Sequence, residues 1–282
     1  MPTLTRYRIP ELLSDIDVLD MLELNGTTSA ASSFLHISQP TVSRRYRALA
    51  GDFGLVQRRR HQQMRYGSTP AITHLRLSAR SHRLEEGFAR IGTDLFHQFL
   101  LADLPQVLPV PQHLRPAEHW ADLVRLAVID GAVISSLELE QVKDPSAWRD
   151  LSLYPLGLLQ LELVAAVRTD DITQLLAPHH VLAPGLWQAL KGQGLELHPV
   201  HRQHSGAERW LQLLGQPSTA MAVPGPLLDK DPWKGKELRR CPGSTPIKEQ
   251  LWLVLPEAEQ HHNTLQETAE VLSNPPLTRK YL

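Results

Sequence analysis

The chain is poor in the features that mark special environments. Of its 282 residues only Cys241 is a cysteine, so no internal disulfide can form, and a reducing cytoplasm is the expected compartment. No apolar run is long enough to span a membrane. The most hydrophobic stretch, Leu151 to Val167, is broken by Tyr154, Pro155, Gln160 and Glu162 and reads as paired strands. Met1 to Arg6 is followed by acidic residues rather than an apolar core, so no secretion signal is expected. A glycine-rich phosphate loop, a nucleophile elbow, a cysteine pair and a His-Glu-x-x-His helix are all missing. The common enzyme and metal classes therefore have no support, and no catalytic residue, metal or cofactor is expected.

The residues that are present have an ordinary globular composition, 42% hydrophobic and 21% charged, which at this length predicts one large or two medium domains. The net charge of -1 hides an asymmetry. Up to Gly92 there are 13 arginines, no lysine and 8 acids, a net of +5, which leaves -6 for the rest. Between Ser43 and Arg83 ten arginines face a single acid, Asp52. A basic N-terminal unit on a mildly acidic body is the charge layout of a nucleic-acid binder with an appended domain.

Helical periodicity supports that reading. Leu12, Leu13, Ile16, Leu19 and Leu22 recur at helical spacing until Asn25-Gly26 stops them. Thr27-Thr28-Ser29 can cap a short second helix through Ala30, Ala31, Phe34 and Leu35. Ser38 can cap a third, which accepts Pro40 because its missing N–H falls in the first turn. In that helix Val42, Tyr46, Leu49 and Phe53 form the inward stripe, and Gln39, Pro40, Ser43, Arg44 and Arg47 are left outside. Three short helices with such a face describe a helix-turn-helix. Gln reads adenine and Arg reads guanine through paired hydrogen bonds in the major groove, which makes Gln39 and Arg44 the candidate base readers. Pro40 and Thr41 can meet thymine methyl groups, and Thr28, Ser29, Ser38 and Ser43 can bind phosphates.

The run Leu35-His36-Ile37-Ser38-Gln39-Pro40-Thr41-Val42-Ser43-Arg44, with the segment from Gly26 that precedes it, resembles the helix-turn-helix of LysR-type transcriptional regulators. Further pieces follow in the family's order. Leu126 to Gly131 resembles its third sheet strand, and Tyr154-Pro155-Leu156-Gly157 with Leu161 to Ala166 resembles its crossover into a second subdomain. Val181 to Pro184, Leu195 to Val200, Met221 to Pro224 and Leu251 to Val254 read as further short strands. The resemblance implies an α/β fold: a winged helix-turn-helix over residues 1–68, a linker helix over 69–92, and a periplasmic-binding-protein-like effector region over 93–282. The first subdomain of that region would hold about 93–160 and 247–282, and the second about 161–246. Leu75, Leu77, Leu84 and Ile91 would lie along the linker helix. Arg58, Arg59, Arg60 and Arg65 would form a basic wing beside the minor groove.

An effector between the subdomains would meet loops and helix N-termini that follow strands. By position this selects Thr93, Asp94, Gln112, His113, Ser135, Ser136, His204 and Ser205. The implied partners are double-stranded promoter DNA carrying an interrupted palindrome, a small effector of unknown identity, and a second chain paired through the linker helix to build a tetramer. RNA polymerase is a further implied partner, no membrane is, and the implied location is the bacterial nucleoid. Two alternatives stay open: a ligand-independent repressor or architectural DNA-binding protein with a degenerate cleft, and a solute-binding module that does not read DNA. The pairs His179-His180 and His261-His262 lack metal-site spacing and read as surface or cap residues. The six tryptophans, Trp120, Trp148, Trp187, Trp210, Trp233 and Trp252, read as core or subdomain-interface residues.

Overall fold

A computed structural model describes residues 7–60, 63–167, 171–200, 206–241 and 244–273. Helix α1 (Ser14–Asn25) follows a 3-10 turn at Glu11–Leu13, buries Ile16, Leu19 and Leu22, and ends where Gly26 takes a left-handed φ of 75°. The turn leaves Leu12 90% exposed instead of in the core. Helix α2 (Thr28–Leu35) is capped by the Thr27 hydroxyl, which accepts from the Ala30 N–H at 3.1 Å. Helix α3 (Gln39–Phe53) is capped by Ser38, which accepts from the Thr41 N–H at 3.3 Å, and carries Pro40 in its first turn. Val42, Tyr46 and Leu49 are its buried face. Strands β1 (Arg58–Arg60) and β2 (Gln63–Arg65) form the wing, an antiparallel pair with Arg58 opposite Arg65.

Helix α4 (Pro70–Glu85) is shorter than the expected linker helix. It stops at Glu85 rather than Gly92, because Gly87 turns the chain at a φ of 79°. Ile91 is accordingly not helical: β3 (Ile91–Gly92) opens the large sheet. The sheet is completed by β4 (Gly131–Ser135), β5 (Leu151–Ala166), β6 (Gln174–Pro178), β7 (Glu196–Val200), β8 (Thr219–Pro224), β9 (Leu238–Arg240) and β10 (Ile247–Pro256). Its order is β3-β4-β10-β5-β8-β6-β7, with β9 also on β5. Helices α5 (Ala117–Arg125), α6 (Ser136–Leu139), α7 (Pro184–Lys191), α8 (Ala207–Leu214) and α9 (Asn263–Ser273) complete the body.

Strand β5, 16 residues long, links the two parts of this sheet. β5 pairs with β10 as far as Leu161 and with β8 from Leu161 onward, so the chain passes from one half of the body to the other inside a single strand. The expected paired strands at 151–167 are thus one strand. Its irregularity is local: Gly157 has a φ of 144°, and the register slips opposite, between Leu251 and Trp252. Two other expected strands are displaced. Leu126 to Asp130 is a turn with Ala127 at φ 55°, and the strand starts at Gly131. Val181 to Pro184 leads into α7, and the strand lies earlier, at Gln174–Pro178.

The head and the body share one apolar core, in which Leu19, Val42 and Ile72 join Trp120, Val124 and Ile129. Buried charges cross the same junction. Asp20 of α1 accepts from Arg76 of α4 at 2.6 Å and from Arg90 at 3.2 Å, and Arg90 also pairs with Asp17. Arg83 grips Asp130 through Nε at 3.1 Å and Nη2 at 2.6 Å. Arg80 lies 3.4 Å from Asp130 and 3.3 Å from Glu259 and donates to the Val124 and Ile129 carbonyls.

Candidate nucleic-acid interface and effector cleft

The N-termini of α2 and α3 meet on one exposed polar face. Gln39 Nε2 donates to Thr28 Oγ1 at 3.0 Å, which ties the candidate reader to the preceding helix. Ser38 and Thr41 share a hydroxyl hydrogen bond at 2.8 Å, and Arg44 Nη2 reaches Thr41 Oγ1 at 3.4 Å. Arg47 donates to the carbonyl and hydroxyl of Ser43 at 3.2 and 3.1 Å. Pro40 and Ser29 are exposed beside them, and the Ser29 carbonyl accepts from Ser32 at 2.8 Å. This network pre-orders long side chains that would otherwise lose rotamer freedom on binding.

The wing is fixed to α3 by two tyrosines whose rings meet edge to face at 5.1 Å. Tyr46 donates to the Tyr66 carbonyl at 3.1 Å and Tyr66 to the Gly26 carbonyl at 3.2 Å, and burial pushes both phenols above their ordinary pKa. Arg58 and Arg59 stand exposed on β1. Arg65 departs from the expected wing surface: it is 13% exposed, paired with Glu23 and 3.9 Å from Asp122. Glu23 also accepts from the Tyr66 N–H at 2.7 Å, so Arg65 holds the wing down rather than facing outward. The side chain of Arg60, together with His204 and Ser205, lies outside the described residues.

The candidate effector residues do not converge on one open cleft. Asp94 accepts from the N–H groups of Phe96 and His97 at 2.8 and 3.1 Å and lies 2.9 Å from His97 Nδ1. His97 Nε2 is 2.9 Å from Glu249, which also accepts from the Ser135 hydroxyl. Burial opposes charge on His97, but Asp94 and Glu249 outweigh it and hold the imidazole well above its ordinary pKa. Burial likewise opposes charge on Asp94, and His97 overcomes it, so the carboxyl sits below its usual range. Ser136 Oγ accepts from the Gln250 N–H at 3.0 Å.

The cleft is closed over this group. Glu138 accepts from the Leu186 and Gly185 N–H groups of α7 at 2.8 and 3.3 Å. A Cβ on residue 185 would lie 1.9 Å from the Leu137 carbonyl oxygen, so only glycine permits the approach. A space of about 20 Å³ remains between the halves. Burial raises the Glu138 carboxyl to about 7, against the pull of the two N–H groups.

Thr93 and Gln112 line a different cavity of about 280 Å³ beside the cleft. His113 is half-buried and takes part in neither space.

His97, Glu138 and Glu249 went unrecognised in the sequence. Glu249 had a signal: it occupies the apolar phase of β10 between Ile247 and Leu251. His179 and His180 stack ring on ring at 4.4 Å in the turn after β6. No group of three or more potential metal ligands occurs among the described residues, and no helix among them is long and apolar enough to cross a membrane.

No protein-family model matches the sequence, and no curated protein matches it. Solved structures are similar over nearly the whole chain. CbnR, a LysR family transcriptional regulator, aligns over 92% of this chain and 97% of its own at 15% identity, with a TM-score of 0.51. CbnR complexed with its target DNA aligns over 92% and 98% at 15% identity and a TM-score of 0.48. An OxyR mutant of Corynebacterium glutamicum with bound hydrogen peroxide aligns over 95% and 92% at 16% identity and a TM-score of 0.49. At these identities the likeness to CbnR shows the fold. The chain has the α/β architecture of a full-length LysR-type regulator, a helical N-terminal head followed by a large mixed-sheet body.

Proposed function

We propose that the chain is a LysR-type transcriptional regulator of the bacterial cytoplasm that binds promoter DNA sequence-specifically through α3. The observation that carries this reading is the ordered face of Ser38, Gln39, Thr41, Ser43, Arg44 and Arg47, braced on Thr28 and flanked by the exposed wing arginines. Gln39 and Arg44 read base edges, and Arg58 and Arg59 neutralise phosphates. The fold shared with CbnR supports a regulator rather than an enzyme or a solute carrier.

Because the head is joined to the body through buried ion pairs, a change in the body moves the head with it. A ligand would act by preferring one arrangement of the two subdomains, and its differential affinity sets the size of the effect. The closed cleft favours a second reading, a regulator that binds DNA without an effector in that cleft. Pairing of chains through α4, assembly into a tetramer and contact with RNA polymerase are further parts of the proposal. The solvent side of α4 offers Ala71, His74, Ser78, Ser81 and Glu85, so pairing there would rest on the half-buried Leu75 and Leu77.

Selection of genomic fragments with purified protein, followed by footprinting, tests the reading. One recurrent protected site is expected, and recovery of unrelated fragments in proportion to their abundance would overturn it.

A further inference from the structure

We infer that the space of about 370 Å³ between the wing and the body is a binding site for a small polyanion of the diphosphate class, separate from the face of α3. Its volume lies within the range of small-molecule sites, about 300–1,000 Å³. The register of the wing carries the argument. Arg58 and Arg65 are direct cross-strand partners, so their side chains leave the hairpin on the same face. That face is turned toward the body: Arg65 meets Glu23 of α1 and lies 3.9 Å from Asp122 of α5, and Leu126, just after α5, lines the space. Like charges directly opposite each other destabilise a strand pair, and an anion bound between them offsets that repulsion.

The balance of charge decides the ligand class. Four arginines, Arg58, Arg59, Arg65 and Arg76, line the space against the single carboxylate of Glu23. Glu23 is already committed, since it pairs with Arg65 and accepts from the Tyr66 N–H at 2.7 Å. Arg76 is answered by Asp20 at 2.6 Å. Arg58 and Arg59 are exposed and have no ion pair among the described residues, which leaves two positive charges over. Guanidinium groups bind phosphate oxygens in pairs, through parallel N–H donors. Ser68 adds a neutral donor: its oxygen accepts from Arg76 Nη1 at 3.4 Å, so its proton is available to Thr73 Oγ1 at 3.2 Å or to the anion. Leu126 is the one large apolar side chain of the lining and no aromatic ring belongs to it, so the anionic group itself is what the site recognises.

Occupancy has a consequence for DNA. Arg58 is also one of the wing arginines assigned to DNA phosphates, so a bound polyanion withdraws it from the DNA backbone and weakens binding to every sequence alike. This consequence rests on the reading of the chain as a DNA-binding regulator, but the binding of the anion does not.

The test is isothermal titration calorimetry of the full chain with pyrophosphate and with malonate, at an ionic strength held constant with sodium chloride. One saturable site per chain is expected for pyrophosphate, with malonate binding more weakly. Arg58→Ala should weaken pyrophosphate roughly ten- to hundredfold, the worth of a hydrogen bond to a charged group. Ser68→Glu and Leu126→Glu, which bring a carboxylate into the space from the head and from the body, should each abolish binding, and circular dichroism identifies a variant that fails to fold. Arg45→Ala, which removes an arginine of α3 outside the lining, should leave binding unchanged. Absence of a saturable site, equal losses in Arg45→Ala and Arg58→Ala, unchanged binding in folded Ser68→Glu and Leu126→Glu, or tighter binding of malonate would overturn the inference. A scrambled duplex separates the two sources of phosphate. Pyrophosphate should displace it from the wild type and not from Ser68→Glu, whereas a duplex weakened by Ser68→Glu in a chain that binds no pyrophosphate would give the space to the DNA backbone and overturn the inference. Intact pyrophosphate binding without any DNA footprint sinks only the regulator reading.

Discussion

Arginine at this scale has two uses that composition cannot separate. Of the ten arginines between Ser43 and Arg83, Arg65, Arg76, Arg80 and Arg83 are turned inward onto Glu23, Asp20 and Asp130, and Arg45 pairs with Asp15 at 3.4 Å. Arg44, Arg47, Arg58 and Arg59 remain exposed, and these are the arginines the proposed reading assigns to DNA. Gln39→Ala and Arg44→Ala are each expected to cost about 1–3 kcal/mol on the target site and to relax base preference. Arg59→Ala should weaken binding to every sequence alike and reduce the salt slope by about 0.9. Arg65→Ala should instead lower the thermal midpoint, because it strands the buried Glu23; titration against salt and a melting curve separate the two kinds of arginine. Burial pushes the Asp130 carboxyl up, but Arg83 more than compensates and holds it ionised. Asp130→Asn should therefore destabilise the fold by about 3–5 kcal/mol in urea unfolding, the usual cost of breaking a buried pair from one side.

The elements show what was legible in the chain and what was not. Helices α1 to α3 followed from the spacing of Leu19, Val42, Tyr46 and Leu49 and from the caps at Gly26 and Ser38, because those signals are local. The inner face of α4 was hidden, since Arg76, Arg80 and Arg83 occupy helical core positions that apolar periodicity assigns to leucine. The closed cleft was hidden for another reason: Glu138, Gly185 and Glu249 are distant in sequence, and their meeting is a tertiary event. At the contact of α6 with α7 the Glu138 carboxyl titrates near 7 when closed, above its ordinary 4.5. The closed form thus holds a proton that the open form releases. Closure is favoured at low pH and loses that advantage as pH rises through about 7. Asp94, His97, Glu249 and Arg115 face the same space, and His97, also raised, adds a loss in the same direction. The difference in melting temperature between the wild type and Glu138→Gln isolates the Glu138 part. The wild type should lose stability relative to the variant between pH 5 and pH 8, and parallel profiles would contradict the contact.

At the scale of the whole molecule, the head and body form one packed unit through α4, and this shapes how regulation can work. Under the proposed reading, a head held to its body by the buried Arg76–Asp20 and Arg83–Asp130 pairs would transmit rearrangements of the body as a unit. The account therefore stands on DNA readout by α3. The most direct measurement is a titration of a selected genomic site and a scrambled duplex at several salt concentrations, with the wild type and Arg44→Ala side by side. The account predicts tight, salt-steep binding to the selected site, with the discrimination reduced about tenfold or more by the substitution. Equal affinity for both duplexes, unchanged in Arg44→Ala, would contradict it.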